Sequence, residues 1–244
     1  MRDGSITVKN LRKVYVIGGE KVVALNKINL TIPRGEICCI FGTSGSGKST
    51  LLNQLAGLEK PTKGEVYIDG INISKLKEHQ LAAFRQKNIG FIFQSYNLLP
   101  TLTAAENVAM PLMFKGVPKA IRMKKAYQML HQVGLKGRED HKPNQMSGGQ
   151  QQRVGIARAF VAKPKIVFAD EPTGNLDTKT TLEIMEMMVK ICRKNHQSMI
   201  LVSHDDELAQ YADRVVTLID GAIVNDVYNK KESLEENENE EKNG

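Results

Sequence analysis

"EICCIFGTSGSGKSTLLNQLAGL", residues 36–58, passes through three chemistries in one run. Ile37–Phe41 is apolar and short, as a buried strand is. Gly42–Ser49 is rich in glycine and serine, too flexible and too polar to build a core. Leu51, Leu52, Leu55 and Leu58 then recur at helical spacing. A strand, a glycine turn and a helix in this order fit the pattern GxxxxGK[ST]. The glycines let successive backbone N–H groups turn inward as an anion nest, and the following helix aims its positive end at the same point. Lys48 then reaches the outer phosphates of a nucleotide, and Ser49 holds Mg²⁺.

Outward from this loop, strand and helix alternate. Apolar, β-rich runs appear at SITVKNL, VVALNKINLTI, EICCIF, GEVYIDG, NIGFIF, KIVFAD, MILVS and RVVTLIDGAIVNDVY. Helical patterns lie at 48–57, 75–86, 104–114, 118–133, 148–162, 178–195 and 206–211. Pro118 suits a helix start and Gly134 a helix end. The alternation predicts an α/β fold with a mostly parallel sheet. The first 35 residues and 62–72 are strand-rich without helices, which predicts an antiparallel sheet beside it. The mostly helical block after the NIGFIF strand predicts a helical subdomain at about 95–162.

Composition narrows the class. With 244 residues, 41% apolar and 25% charged, most of the chain can fold around a sizeable core. Aromatics are 5% and Trp is absent, which argues against a sugar-stacking cleft or a base-stacking sheet. Cys38, Cys39 and Cys192 stand in apolar runs, without CxxC spacing and in odd number. Core residues in a reducing cytosol are expected, not a disulfide framework or a metal cluster. No apolar run approaches the ~18 residues of a membrane span, and the opening MRDGSITVKN lacks the apolar stretch of a signal peptide. The net charge is +7. Residues 230–244 carry three lysines and six glutamates, so residues 1–229 carry +10. A body this basic is compatible with phosphates, nucleic acid or an anionic membrane face. The charged tail 230–244 is expected to be disordered.

A second site signal is KIVFADEP, residues 165–172, an apolar strand ending in two carboxylates. In a parallel sheet that end lies at the edge where ligands bind. Asp170 there serves Mg²⁺ through water, and Glu171 faces the terminal phosphate and can polarise an attacking water. His204 follows MILVS in the same way and lands on the same edge.

The stretch MSGGQQQRVGIARAFVAKPKIVFADEPTGNLD, residues 146–177, resembles the ABC-type ATPases, the nucleotide-binding engines of transporters. The resemblance covers about residues 5–228. It implies a P-loop NTPase core with an N-terminal antiparallel β subdomain and a helical signature subdomain, one domain over 1–229. Ser147, Gly148, Gly149 and Gln150 match the signature loop, with Met146 where Leu is usual. Tyr15 matches the aromatic that stacks on adenine, and Gln94 the glutamine that touches Mg²⁺ and senses the membrane partner. Asp177 matches the cross-dimer loop and His204 the switch histidine. In that family two cassettes pack head to tail, each ATP gripped by the loop Gly42–Thr50 (Gly42, Thr43, Ser44, Gly45, Ser46, Gly47, Lys48, Ser49, Thr50) of one and the signature of the other. Catalysis is implied for Glu171 and His204, and Mg²⁺ contacts for Ser49, Gln94 and Asp170.

GLEKPTKGEVYIDG, IGFIFQSYNLLPTLTAAENVAMPL and DEPTGNLDTKT are similar to the subgroup serving lipoprotein release and macrolide or antimicrobial-peptide export. The resemblance implies an ATP-hydrolysing subunit that is a homodimer when ATP is bound. It pairs with a separate integral membrane permease on the inner face of the membrane. QSYN departs from the more usual Q.FN, at a surface expected to meet the permease. The alternative is a non-transport ABC ATPase acting on nucleic acid. Such proteins separate the phosphate loop from the signature by a coiled coil or zinc modules, whereas Lys48 and Ser147 are 99 residues apart here, without heptads or cysteine pairs. No nucleic-acid partner is therefore expected. A simple P-loop kinase would leave SGGQQQR without a role.

Overall fold

The computed structural model describes residues 4–229, and the acidic tail lies outside the described residues. A six-stranded sheet forms the centre. In spatial order it runs β10 (Ala222–Tyr228), β9 (Arg214–Ile219), β3 (Ile37–Phe41), β8 (Ser198–Ser203), β7 (Ile166–Asp170) and β6 (Ile89–Ile92). All pairings are parallel except the β9–β10 hairpin. Beside it lies a four-stranded antiparallel sheet in the order β2 (Glu20–Pro33), β1 (Gly4–Ile17), β4 (Lys63–Ile68) and β5 (Ile71–Asn72). The predicted α/β class and both sheets are therefore present.

The central strands are apolar throughout because both faces are covered. Ile37 and Cys39 join a core with α3 (Ala104–Phe114), α4 (Lys119–Gln132), α5 (Gly148–Phe160) and α6 (Thr178–Lys194). Cys38 and Ile40 point the other way, into a core with the antiparallel sheet and α1 (Lys48–Leu55). Strand alternation thus explains the adjacent cysteines: one serves each face. Burial pushes the thiols of Cys39 and Cys192 up to about 12, so they are inert packing groups.

Several boundaries differ from the sequence reading. Strands β1 and β2 are each 14 residues long, and β1 runs well beyond the stretch SITVKNL. A Gly18–Gly19 turn with both φ positive joins them. The far end of this hairpin is exposed although it carries Val16, Ile17, Val22 and Val23. The last apolar run, 214–228, is two strands, because Asp220 and Gly221 both take positive φ and make a tight turn. The helix expected from 75 begins later: Ile73–Lys75 forms a single 3-10 turn, and α2 spans Glu78–Asn88. Pro118 precedes the first helical residue of α4, and Gly134, at φ 78, follows its last turn. The remaining helix, α7, is the single turn Asp206–Ala209.

Candidate active site

Because β3, β8, β7 and β6 are parallel, everything that follows them collects at one edge of the sheet. The glycine loop follows β3, His204 follows β8, Asp170 and Glu171 end β7, and Gln94 follows β6. Strand β8 lies between β3 and β7, in register with both. The loop after β3 and the carboxylates after β7 thereby meet across a single strand.

The loop Gly42–Ser49 closes over a cleft of about 400 Å³, lined by Ser44, Gly45, Gly47–Thr50, Glu171 and Val22–Ala24 of β2, with Asp220 and Gly221. Its shape depends on glycine. A Cβ on Gly42 would collide with the Leu218 carbonyl, and one on Gly47 would come within 2.6 Å of the Ala24 carbonyl. Gly45, at φ 81, faces open space. Gly47 is also the residue before α1, with φ 100 and no side-chain cap, so the first N–H groups of α1 are left for a ligand. Lys48 is 6% exposed, and its ammonium donates to the Thr43 carbonyl at 2.8 Å. Ser46 is buried as well, and its Oγ has no partner. A buried ammonium and uncapped N–H groups converging on one cleft fit a polyphosphate.

At the cleft floor Ser49 Oγ donates to Asp170 Oδ1 at 3.1 Å. Burial raises the Asp170 pKa, the charge of Glu171 adds to this, and the Ser49 hydrogen bond and Lys48 oppose it. A hydroxyl and one carboxylate are the oxygen donors that Mg²⁺ takes when phosphates complete its shell. Among the described residues no cluster of three His, Cys, Asp or Glu forms a self-sufficient metal site. Glu171 takes φ 42, a strained conformation for a residue with a side chain. Glu171 lines the phosphate cleft and two further hollows. His204 Nδ1 lies 3.2 Å from Glu171 Oε1.

Other expected site residues stand apart. Ser147 caps α5: its Oγ accepts from the Gln150 N–H at 3.3 Å, and Gln150 Oε1 accepts from the Ser147 N–H at 3.1 Å. Among the described residues lining the phosphate cleft, none comes from 147–150. Asp177 caps α6 and accepts from the hydroxyl and the N–H of Thr180, which hold its carboxyl below the usual range. The Gln94 carboxamide sits against Gly174, and the Gln94 backbone carbonyl accepts from the Asn175 side-chain amide at 3.1 Å. Tyr15 donates its hydroxyl to Glu59 at 2.7 Å, and the Lys13 ammonium lies 5.0 Å from the centre of its ring. Burial and the Glu59 carboxylate both raise the Tyr15 pKa.

Sequence reasoning missed the supports of this edge. Gln152 is fully buried and donates to the carbonyls of Phe93 and Pro172, tying the ends of β6 and β7 together. Arg158 donates to the carbonyls of Tyr96 and Asn97, two residues at positive φ. The Tyr96 hydroxyl packs so close to Gly148 that a Cβ there would meet it at 2.8 Å, linking the loop after β6 to the helix start at Ser147. Asn107, 0% exposed, holds the 99–103 segment through four hydrogen bonds. A polar residue within the apolar stretch AAENVAMPL was the available signal.

Residues 25–174 match the family model described as ABC transporter. An uncharacterized ABC transporter ATP-binding protein of Methanocaldococcus jannaschii is 50% identical over 225 residues, 92% of this chain and 100% of that protein. The lipoprotein-releasing system ATP-binding protein LolD of Geobacter metallireducens is 46% identical over 91% of this chain and 98% of its own. Among solved structures, the dimeric ATP-binding cassette MJ0796 in a post-hydrolysis state bound to ADP and Pi superposes with a TM-score of 0.87. It is 43% identical, over 93% of this chain and 99% of that one.

Proposed function

The chain belongs to the ABC transporter family, as an ATP-hydrolysing nucleotide-binding subunit that works with a membrane permease, and from that premise we propose that two copies clasp two ATP molecules head to tail. Each nucleotide is held by Gly42–Thr50 of one copy and by Ser147–Gln150 of the other. The observation that carries this reading is the split between two helix starts. The start of α1 is open and lines the cleft, whereas the start of α5 lies outside it. The dimeric form of the similar cassette supports it.

Within each half, Lys48 and the loop N–H groups bind the phosphates, and Tyr15 stacks on the base. Ser49 and Asp170, with Gln94 swung in from its place against Gly174, would hold Mg²⁺, which supplies charge neutralisation at the outer phosphates. Glu171 accepts a proton from the attacking water, and His204 positions the Glu171 carboxylate. Asp177 belongs to the contact between copies. Residues 1–229 act as one unit, with 95–162 as the part that shifts between open and closed pairs.

The permease-facing surface is the apolar groove of about 730 Å³ lined by Phe91 of β6, Phe93 just after it, and Met110, Pro111 and Phe114 of α3, beside Arg158. It adjoins the loop after β6, so closure of the pair pulls on whatever sits there. The work is export or mechanical release of the lipoprotein, macrolide or peptide type, on the inner face of the membrane. No helix among the described residues is long and apolar enough to cross a membrane. Neither the fold nor the relatives favour the nucleic-acid alternative.

The test is Glu171→Gln. ATP binding is retained, hydrolysis falls by about 10²–10⁴-fold, and gel filtration with ATP shows a dimer. A variant that turns over ATP at the parent rate, or stays monomeric at saturating ATP, overturns the reading.

A further inference from the structure

Between Glu106 and Glu139 the chain contains seven lysines and arginines and no carboxylate. The run covers the end of α3, the following loop and all of α4. Helix α4 packs inward through Ala126 and Leu130. Its outward face carries Ile121, Lys124, Lys125 and Gln128, with Lys119 at its start, all exposed. Apolar side chains stand among these cations: Phe114 is 63% exposed, Ile121 50% and Met113 44%. An ordinary solvated helix face mixes both signs of charge, as α6 does with Glu183, Glu186, Lys190 and Lys194.

The same face has a hollow. A concavity of about 660 Å³ lies between α3, α4 and the turn after α5, with Lys125, Gln128 and Lys163 at its rim and Leu112, Met129 and Val161 among its lining. His131 also lines it but is engaged by Glu139 at 2.6 Å. Cations over an apolar floor fit a molecule with an anionic head and an apolar body. The hollow shares Ala162 with the apolar groove of Phe91 and Phe114, and Lys115 donates to the Ala162 carbonyl at 3.3 Å between them.

We propose that the outward face of α4 and the loop before it dock on anionic phospholipid headgroups, making a lipid contact beside the permease contact. Lys119, Lys124, Lys125 and Lys163 meet the phosphates, and Ile121 and Met113 enter the headgroup boundary. The charge complementarity is one-sided, as a membrane surface requires. The exposed apolar residues distinguish this face from a purely phosphate-tracking surface for nucleic acid.

The full chain, without permease, is sedimented with vesicles of phosphatidylglycerol and phosphatidylcholine, and separately with vesicles of phosphatidylcholine alone. Binding is expected only to the anionic vesicles and is lost at high salt. Each lysine near such a surface contributes about fivefold in partitioning, so Lys119→Gln, Lys124→Gln and Lys125→Gln together lower it by about 100-fold. The same three changes at Lys63, Lys190 and Lys194 lower it much less. ATPase activity of the soluble variants reports that they fold, and keeps a failure here distinct from a failure of the nucleotide reading. Equal loss from both lysine sets shows a net-charge effect and overturns the proposal. So does duplex DNA binding as tight and as sensitive to the α4 set, or no binding to anionic vesicles at all, which would leave this face to a protein partner.

Discussion

The starts of α1 and α5 look alike in sequence and differ in physical state. The run GTSGSG leads into α1, whereas Ser147 caps α5 and Gly148 and Gly149 are its first residues, and both starts would serve as anion sites by helix polarity alone. Helix α5 caps part of its own first turn: Ser147 and Gln150 exchange hydrogen bonds. Helix α1 has Gly47 in place of a capping side chain and a buried Lys48 beside it. The loop before α1 is also wedged against Ala24 and Leu218, so only glycine fits. One start is built around a ligand. The other is capped by its own side chains and offers the backbone of Gly148 and Gly149 to a second molecule. Two phosphate-type starts with one enclosed cleft are what a shared site between two copies requires.

Paired alanine substitutions sharpen that contrast most. Gly47→Ala forces a positive φ and a collision with the Ala24 carbonyl, and is expected to destabilise the chain by about 2–4 kcal/mol in chemical denaturation. Gly149→Ala meets only the Thr180 methyl at 3.0 Å and gains helix propensity, so the change should stay within about 1 kcal/mol. Equal costs would break the comparison. Next in size is Lys48→Ala. Removing a charge-assisted contact should weaken ATP binding by about 10- to 100-fold, measured by titration of the ligand-free chain. Stability should not fall, because the buried ammonium loses only its bond to Thr43. Lost stability with intact binding would assign Lys48 to the fold.

The smallest effect concerns Asp170. Burial raises its folded pKa above the unfolded value, so the native state favours the protonated form. Its contribution is greatest below the unfolded pKa and is lost as pH rises through the raised folded value. At neutral pH the ionised Asp170 therefore costs stability. Asp170→Asn should raise the Tm of the ligand-free chain at pH 7 while reducing hydrolysis, and the Tm gain should shrink in acid. A Tm gain that is the same at pH 7 and in acid would remove the electrostatic cause. A site that trades stability for chemistry behaves this way.

Much of this was legible in the chain. The glycine loop could be read because GTSGSGKS demands a special backbone, and special backbones need particular residues. The parallel sheet could be read because ICCIF, IVFAD and MILVS are apolar on both faces. The hairpin of β1 and β2 was underestimated because its far end is exposed and carries no apolar alternation. Gln152, Arg158 and Tyr96 stayed hidden for another reason. Gln152 and Arg158 each donate to two backbone carbonyls 20 to 62 positions away, and the Tyr96 hydroxyl packs on Gly148, 52 positions away; such pairings leave no periodic trace.

The local chemistry was decided by sequence alone: which backbone can wrap phosphate, which strand ends in carboxylates, which helices present an apolar face. These follow from residues adjacent in the chain. Only the tertiary structure decided that Ser49 meets Asp170, 121 positions away, and that His204 meets Glu171. It alone placed the Ser147 helix outside the cleft, and gathered the lysines of α4 onto one outward face. Those outcomes depend on strand order and on which side of the sheet each helix covers, and both are set by packing the whole chain at once.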